Sequence, residues 1–372
     1  MSLLLWAGGA AAAAGRQQQE REDPQARFGE RVDVVEVLID VQVTDRKGVV
    51  VLGLGPDDFT ALVDGEPTPI SSVSFHSPYF AQDIPERIEG RTGTFGALPA
   101  EGVTQPPEHR YFVLLFHDLM APDFETLGVT AQQSLAVAMA RQWVRRELLP
   151  ADFVAVASYD YKLKIHSDFG RDPDELERAL KRAMMRRDPE RRGGVSAASA
   201  GPSLVRNLPR GSELRDRSRN IRQALWVLAE GLRPLHGRKN LLLFSIGVGL
   251  TPYLGPVLNR SNVDVYTVDI SPPHAQHMQA VALEGLARAT GGHFFRWGSY
   301  FDSLQRVSRA TTGYYQLSVP LTRGVDGELP ERVVVNVVHR ELRVMARRHY
   351  TGDEEAEAVP GGALFEVDEP IP

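Results

Sequence analysis

At 372 residues the chain is longer than one compact domain usually needs, so about two domains are expected. Apolar residues at 42% and charged residues at 24% exclude wholesale disorder and a collagen-like chain. A formal charge of −6 argues against a general nucleic-acid binder, and the absence of cysteine removes disulfides, thiolate zinc sites, iron–sulfur clusters and cysteine nucleophiles together.

The first residues carry an apolar run from Leu3 to Ala14, then a polar stretch from Gln17. This reads as a signal peptide without a basic start, the alternative being a disordered Ala-rich tail over 1–28. No other stretch approaches the roughly 20 apolar residues that cross a bilayer, so no transmembrane segment is expected in the mature chain. Residues 30–80 read as all-β: VDVVEVLIDVQV at 32–43, a turn at Asp45 to Gly48, then a second turn at Asp64-Gly65 before Ile70 to Phe75. Four prolines and four glycines without apolar periodicity mark 81–108 as a linker.

From 109 to 313 strands and helices alternate. YFVLLF at 111–116 suits a strand buried on both faces, and 129–147 has helical spacing. FVAVASY at 153–159 is a second strand, followed after a tight turn by LKI at 163–165 as an antiparallel edge. Asp172, Pro173 and Glu175 start a helix that runs to about Arg186. Residues 213–234 read as one helix, 240–246 and 263–270 as strands, 275–290 as a helix, 293–297 as a short strand, and Phe301, Leu304 and Val307 as one face of a last helix before Gly313. After it come strands within 314–350, including VVVNVV, which are too few to bury a core and are expected to pair with those of 30–80. Phe75, Tyr315, Val335 and Val344 would then share one apolar layer. The tail at 351–372 is acidic, proline-flanked and expected to be disordered.

The expected class is therefore α/β, a doubly wound, mostly parallel sheet with a smaller flanking β domain. With RYFVLLFHDL, LLPADFVAVASYD, GRDPDELERAL, GRKNLLLFSIG and GLARATGGHFF in that order, the chain resembles a von Willebrand factor A (VWA) domain. The flanks VQVTDRKGVVVLGLGPDDFTALVDGE and ELRVMARRHYTG resemble those of the secreted VWFA-related proteins of acidobacteria. The resemblance covers about 30–350 and implies a protein partner, strand order 3-2-1-4-5-6, and a Mg²⁺ site built from D-x-S-x-S, a threonine and a second aspartate, the hard cation taking six oxygens.

This sequence departs from that site. Asp118 is followed by Leu119, Met120, Ala121 and Pro122, so both serines are lost; Gly170 aligns with the threonine; Ser245-Ile246-Gly247 stands where Ser-Asp-Gly is implied. On the implied order Asp269 ends a strand two places from Asp118, about 10 Å away. The expectation is a secreted or periplasmic, non-catalytic binding module with no cofactor and no bound metal, whose ligand surface includes Asp118, Asp123, Ser245 and Gly247. The alternative is an Mg²⁺-dependent adhesion or enzyme-accessory protein using Asp118 and Asp123, although Asp123 also suits a helix cap or loop.

Other chemistry is thinner. His274 and His277 share a helical turn but lack a third ligand at zinc spacing. His117 and Asp118 are strand neighbours that face opposite ways, which leaves His117 as a packed or loop histidine. Ser245 lies at a strand end, yet FSIGVG is neither G-x-S-x-G nor a dinucleotide loop. Arginines from 178 to 222 make the middle basic, either as solvated helix faces or as a dock for an acidic surface or anionic polymer.

Overall fold

The computed structural model describes residues 34–77, 92–94, 109–117, 125–185, 189, 195, 201–249, 251–272, 279–322 and 333–346. The leader at 1–28, the tail at 351–372, and Asp118, Asp123, His274 and His277 lie outside these residues.

In chain order the first strands are β1 (Val34–Thr44), β2 (Val50–Leu52), β3 (Phe59–Val63), β4 (Glu66–Thr68), β5 (Ser72–His76) and β6 (Thr92–Thr94). β6 falls inside the stretch read as a linker and pairs with β2 in parallel, Val51 opposite Gly93. Three polar or glycine residues carry no apolar alternation, so this pairing rests on backbone hydrogen bonds that sequence pattern does not display.

The α/β region follows with β7 (Arg110–His117), α1 (Glu125–Glu147), β8 (Asp152–Tyr159), β9 (Leu163–Gly170), α2 (Pro173–Met184), α3 (Gly211–Arg217), α4 (Ile221–Leu232), β10 (Lys239–Ser245), α5 (Leu254–Arg260), β11 (Val263–Asp269), α6 (Gln279–Ala289), β12 (Phe294–Phe295) and α7 (Tyr300–Ala310). The chain then returns to β13 (Tyr314–Thr322), β14 (Val333–Val337) and β15 (Arg343–Ala346). The central sheet has the order β12-β11-β10-β7-β8-β9, which is 3-2-1-4-5-6 read from the other edge, parallel except for β9. Every residue of β7 and β10 is buried, because helices cover both faces. Val113, Leu115, Leu241 and Leu243 meet α4, α5 and α6 on one face. Phe112, Leu114, Leu242 and Phe244 meet α1, α2 and α7 on the other, with Trp143 fully buried there.

Two helices depart from the pattern reading. The single helix expected at 213–234 is two, because Ser218 folds its hydroxyl back onto the Leu214 carbonyl (2.6 Å) and Asn220 caps α4 by accepting from Gln223 N–H (2.9 Å). α5 was not anticipated between β10 and β11; its Pro256 sits in the first turn, where a missing N–H costs nothing.

Strands from both ends of the described chain share two further sheets. β13 lies between β1 and β5, antiparallel to both, and β15 pairs with β1 beyond β13. β3 lies between β14 and β4. Val37, Ile39, Val41 and Val43 alternate along β1 into an apolar cluster with Phe59, Tyr315, Leu317 and Val335, against which Phe75 and Val344 pack. Tyr315 ties the cluster together: its hydroxyl donates to Val51 O (2.9 Å) and accepts from Leu54 N–H (3.1 Å), and its ring meets Phe59 and Phe75. Gly313 is required at the entry to β13, where a Cβ would fall 2.3 Å from the Phe75 ring.

Candidate functional site

The strands of a doubly wound sheet expose their carboxyl ends to the loops that bind ligands. Here that edge is formed by the ends of β7, β8, β10, β11 and β12, with the β8–β9 turn beside them.

His117 ends β7 and Ser245 ends β10, one step beyond the registered pair Phe116 and Phe244. Both side chains fall on the α4 face, and His117 Nδ1 lies 2.8 Å from Ser245 Oγ. Ser245 Oγ also accepts from Gly247 N–H and donates to Gly247 O, each at 2.9 Å. A hydroxyl has one proton, so with the bond to Gly247 O made, Nδ1–H donates to Oγ. Burial pushes His117 down to about 4, against an opposing backbone hydrogen bond with Gly247. The imidazole is therefore neutral at pH 7, and it packs edge-on to Tyr159. Both residues are almost fully enclosed.

Gly247 is read out by Gln279. A Cβ at 247 would fall 2.5 Å from Gln279 Cβ, while Gln279 Oε1 accepts from Gly249 N–H at 2.9 Å. Asp269 ends β11, separated from β7 by β10. Its Oδ1 accepts from Ser271 N–H (2.9 Å) and Oγ (2.6 Å), and Arg296 Nε lies 3.1 Å from Oδ2. Gly170 is a correction. It pairs with Val154 near the start of β8, because β9 runs antiparallel, and so lies at the opposite edge from His117 and Ser245. The threonine position implied by the resemblance is not Gly170.

Sequence reasoning treated His117 and Ser245 separately and missed their pairing; the parallel register of two strands 122 residues apart, β7 ending at 117 and β10 starting at 239, was the missing information. A second pair, Ser158 Oγ and His166 Nε2 at 2.8 Å, was also missed. Its signal was present: the tight turn pairs Ser158 with Lys164, which makes His166 a diagonal neighbour.

The loops of this edge carry large exposed aromatics: Tyr161 after β8, Tyr253 after β10 and Trp297 after β12, each about 70% exposed. Tyr161 and Trp297 also hold left-handed backbone, φ 65° and 55°. Among the described residues the other two such non-glycines, Asp64 and Asn262, are types that tolerate this conformation. For bulky rings it is costly. The Arg296 guanidinium lies over the Trp297 ring at 4.3 Å. Among the described residues no group of three metal-ligating side chains occurs, and no helix is long and apolar enough to cross a membrane.

No family model matches the chain, and no curated protein does. Among solved structures, the ArnB paralog VWA2 from Sulfolobus acidocaldarius is 10% identical, aligning 85% of this chain with 77% of that one at a TM-score of 0.35. BatB from Bacteroides thetaiotaomicron is 10% identical over 54% of this chain and 96% of that one, TM-score 0.35. Proximal thread matrix protein 1 from the mussel byssus is 12% identical over 55% of this chain, TM-score 0.34. The chain spans less than half the length of the mussel protein (47%) and of human COPII-coat protein Sec24c (44%). At such TM-scores these likenesses carry no argument, and the strand order rests on the sheet itself.

Proposed function

We propose that the chain is a non-catalytic, protein-binding module of the VWA type, of the secreted VWFA-related kind and working outside the cytoplasm, that engages its partner through the carboxyl-edge loops without a metal ion. The observation that carries this reading is the set of exposed aromatics on those loops, two of them on left-handed backbone that is costly for bulky rings. Tyr, Trp and Arg are the residues on which protein interfaces concentrate their binding energy.

The chemistry of the edge supports the absence of catalysis. Ser245 has a histidine beside it, as a nucleophile would, but its oxygen is enclosed and engaged with Gly247, and a histidine titrating near 4 is a weak general base at pH 7. The metal-free reading is supported by the described oxygens at this edge being already engaged: Ser245 Oγ by His117 and Gly247, and Asp269 by Ser271 and Arg296.

The test is a crosslinking pull-down from the native envelope with the wild-type chain, a Tyr161→Ser/Trp297→Ser double variant and Asp118→Ala, each with and without chelator. The expected result is a partner retained in chelator and weakened by tenfold or more in the double variant, the size of a lost hot spot of about 1.4–2 kcal/mol. Capture that needs Mg²⁺ and is lost in Asp118→Ala overturns this reading in favour of metal-dependent adhesion through Asp118 and Asp123.

A further inference from the structure

The segment from Arg210 to Arg222 holds five arginines and two carboxylates, a net charge of +3 in a chain of −6. It forms α3, the start of α4 and the link between them, and all five arginines are exposed. Arg217 is engaged by Glu213 and Glu230. Among the described residues Arg219 pairs with Asp216 alone, an exposed pair of the kind that contributes little. Among the described residues Arg210, Arg215 and Arg222 have no ion pair. Arg210 is the residue before α3 and makes no side-chain cap, and Arg222 lies in the first turn of α4, which contains no acid. Cations at helix starts oppose the helix dipole, so Arg210 and Arg222 are placed against it, whereas Arg215 and Arg217 sit favourably in the last turn of α3.

A matching charge exists in the same chain. Between 353 and 369 lie seven carboxylates and no lysine or arginine, so without that segment the chain would carry +1 instead of −6. Glu366 follows Ala346, the last residue of β15, by twenty residues, roughly 65 Å of extended chain, enough to reach across a domain of this size. A tethered segment acts at an effective concentration near millimolar, so several weak contacts suffice to hold it.

We propose that the Arg210–Arg222 surface is a docking surface for a carboxylate-rich polypeptide, and that its occupant is this chain's own 353–369 segment. A phosphate polymer fits less well. The surface is short, and the rest of the chain with its acidic segment would repel a polyanion at long range. The proposal rests on charge and reach and not on the exposed aromatics, although the α3–α4 link adjoins the β8–β9 turn, Leu163 N–H donating to Ser218 Oγ at 3.5 Å.

The absence of cysteine makes the test direct. Ser212→Cys and Gly361→Cys in the full chain give two thiols for a donor and acceptor dye. Energy transfer is expected to be high at about 0.02 M salt and to be lost by about 0.5 M, where screening confines charge interactions to a few ångströms. Arg210→Glu/Arg215→Glu/Arg222→Glu should lower transfer at low salt to the high-salt level, with circular dichroism unchanged. Asp353→Asn/Glu354→Gln/Glu355→Gln/Glu357→Gln should do the same from the other side. Transfer that ignores both sets of substitutions overturns the proposal, and so does transfer that arises only on mixing singly labelled chains, which would place the segment on a second copy.

Discussion

The two edges of the central sheet handle polar groups in opposite ways. At the amino edge, full charges are buried and paired. Arg110 grips Asp152 through Nε (2.6 Å) and Nη2 (2.7 Å), and Arg238 grips Asp264, each joining neighbouring parallel strands. Arg110 also donates to Ser308 O at 2.6 Å, which fastens the end of α7, and the Arg238 guanidinium lies over the Tyr314 ring at 4.9 Å, where β13 begins. At the carboxyl edge, the His117–Ser245 pair is enclosed and uncharged, the buried Asp269 carboxylate is met by the part-exposed Arg296, and aromatic surface is turned outward in the loops. One edge ties the central sheet to its flanking strands; the other leaves aromatic surface exposed. A buried charge pair punishes the loss of a single partner, whereas a buried neutral histidine responds to pH and a strained loop responds to relief.

The largest effect that would test this contrast is at the amino edge. Asp152→Ala leaves the Arg110 guanidinium enclosed without its counter-charge, and a loss of about 3–5 kcal/mol in urea unfolding is expected. Arg110→Met/Asp152→Leu should recover most of it, since two apolar groups leave no charge unpaired. A double variant as unstable as the single would mean that the pair contributes more than mutual neutralisation.

His117 sets the next effect. Its folded value near 4 lies below the 6.5 of an unfolded histidine, so the unfolded chain takes up this proton first. The stability contribution is complete above pH 6.5 and is lost as pH falls from 6.5 towards 4, about 3 kcal/mol in all. His117→Gln should therefore lose less stability between pH 7 and pH 4 than the wild type does, read as the difference between two urea series. Equal slopes would show that His117 does not resist protonation.

The smallest effect has the opposite sign. Tyr161→Asn places a residue tolerant of left-handed backbone at the loop tip, and thermal unfolding should show a gain of about 1 kcal/mol while partner capture falls. A loss of stability would mean that the Tyr161 ring supports the fold.

How much of this was readable beforehand follows the range of the interactions. The strands at 111–116, 153–159, 240–246 and 263–270 announced themselves as apolar runs, and Asp172 with Pro173 marked the start of α2, where Asp172 accepts from Asp174 N–H (3.0 Å). The break at 218–220 and the helix at 254–260 were not legible, because one rests on a serine that bonds backwards and the other begins among glycine and proline that read as loop. At the candidate site Ser245 and Gly247 stood out by position, but their engagements with His117 and Gln279 depend on strand and helix placement. Tyr161 and Trp297 carry no motif, and only their backbone angles and exposure separate them from ordinary core aromatics.

The sequence by itself determined the α/β class, the alternation of elements and the antiparallel edge strand, since these follow from local periodicity and turn chemistry within a dozen residues. Tertiary structure alone decided that β1 adds Gln42 to the central sheet through a 3.1 Å hydrogen bond to the Tyr266 hydroxyl, 224 positions away, that His117 meets Ser245, and that Gly170 lies at the far edge. The physical reason is that side-chain hydrogen bonds between distant strands depend on register and direction, and reversing one strand moves a residue to the other end of the sheet without altering a single local preference.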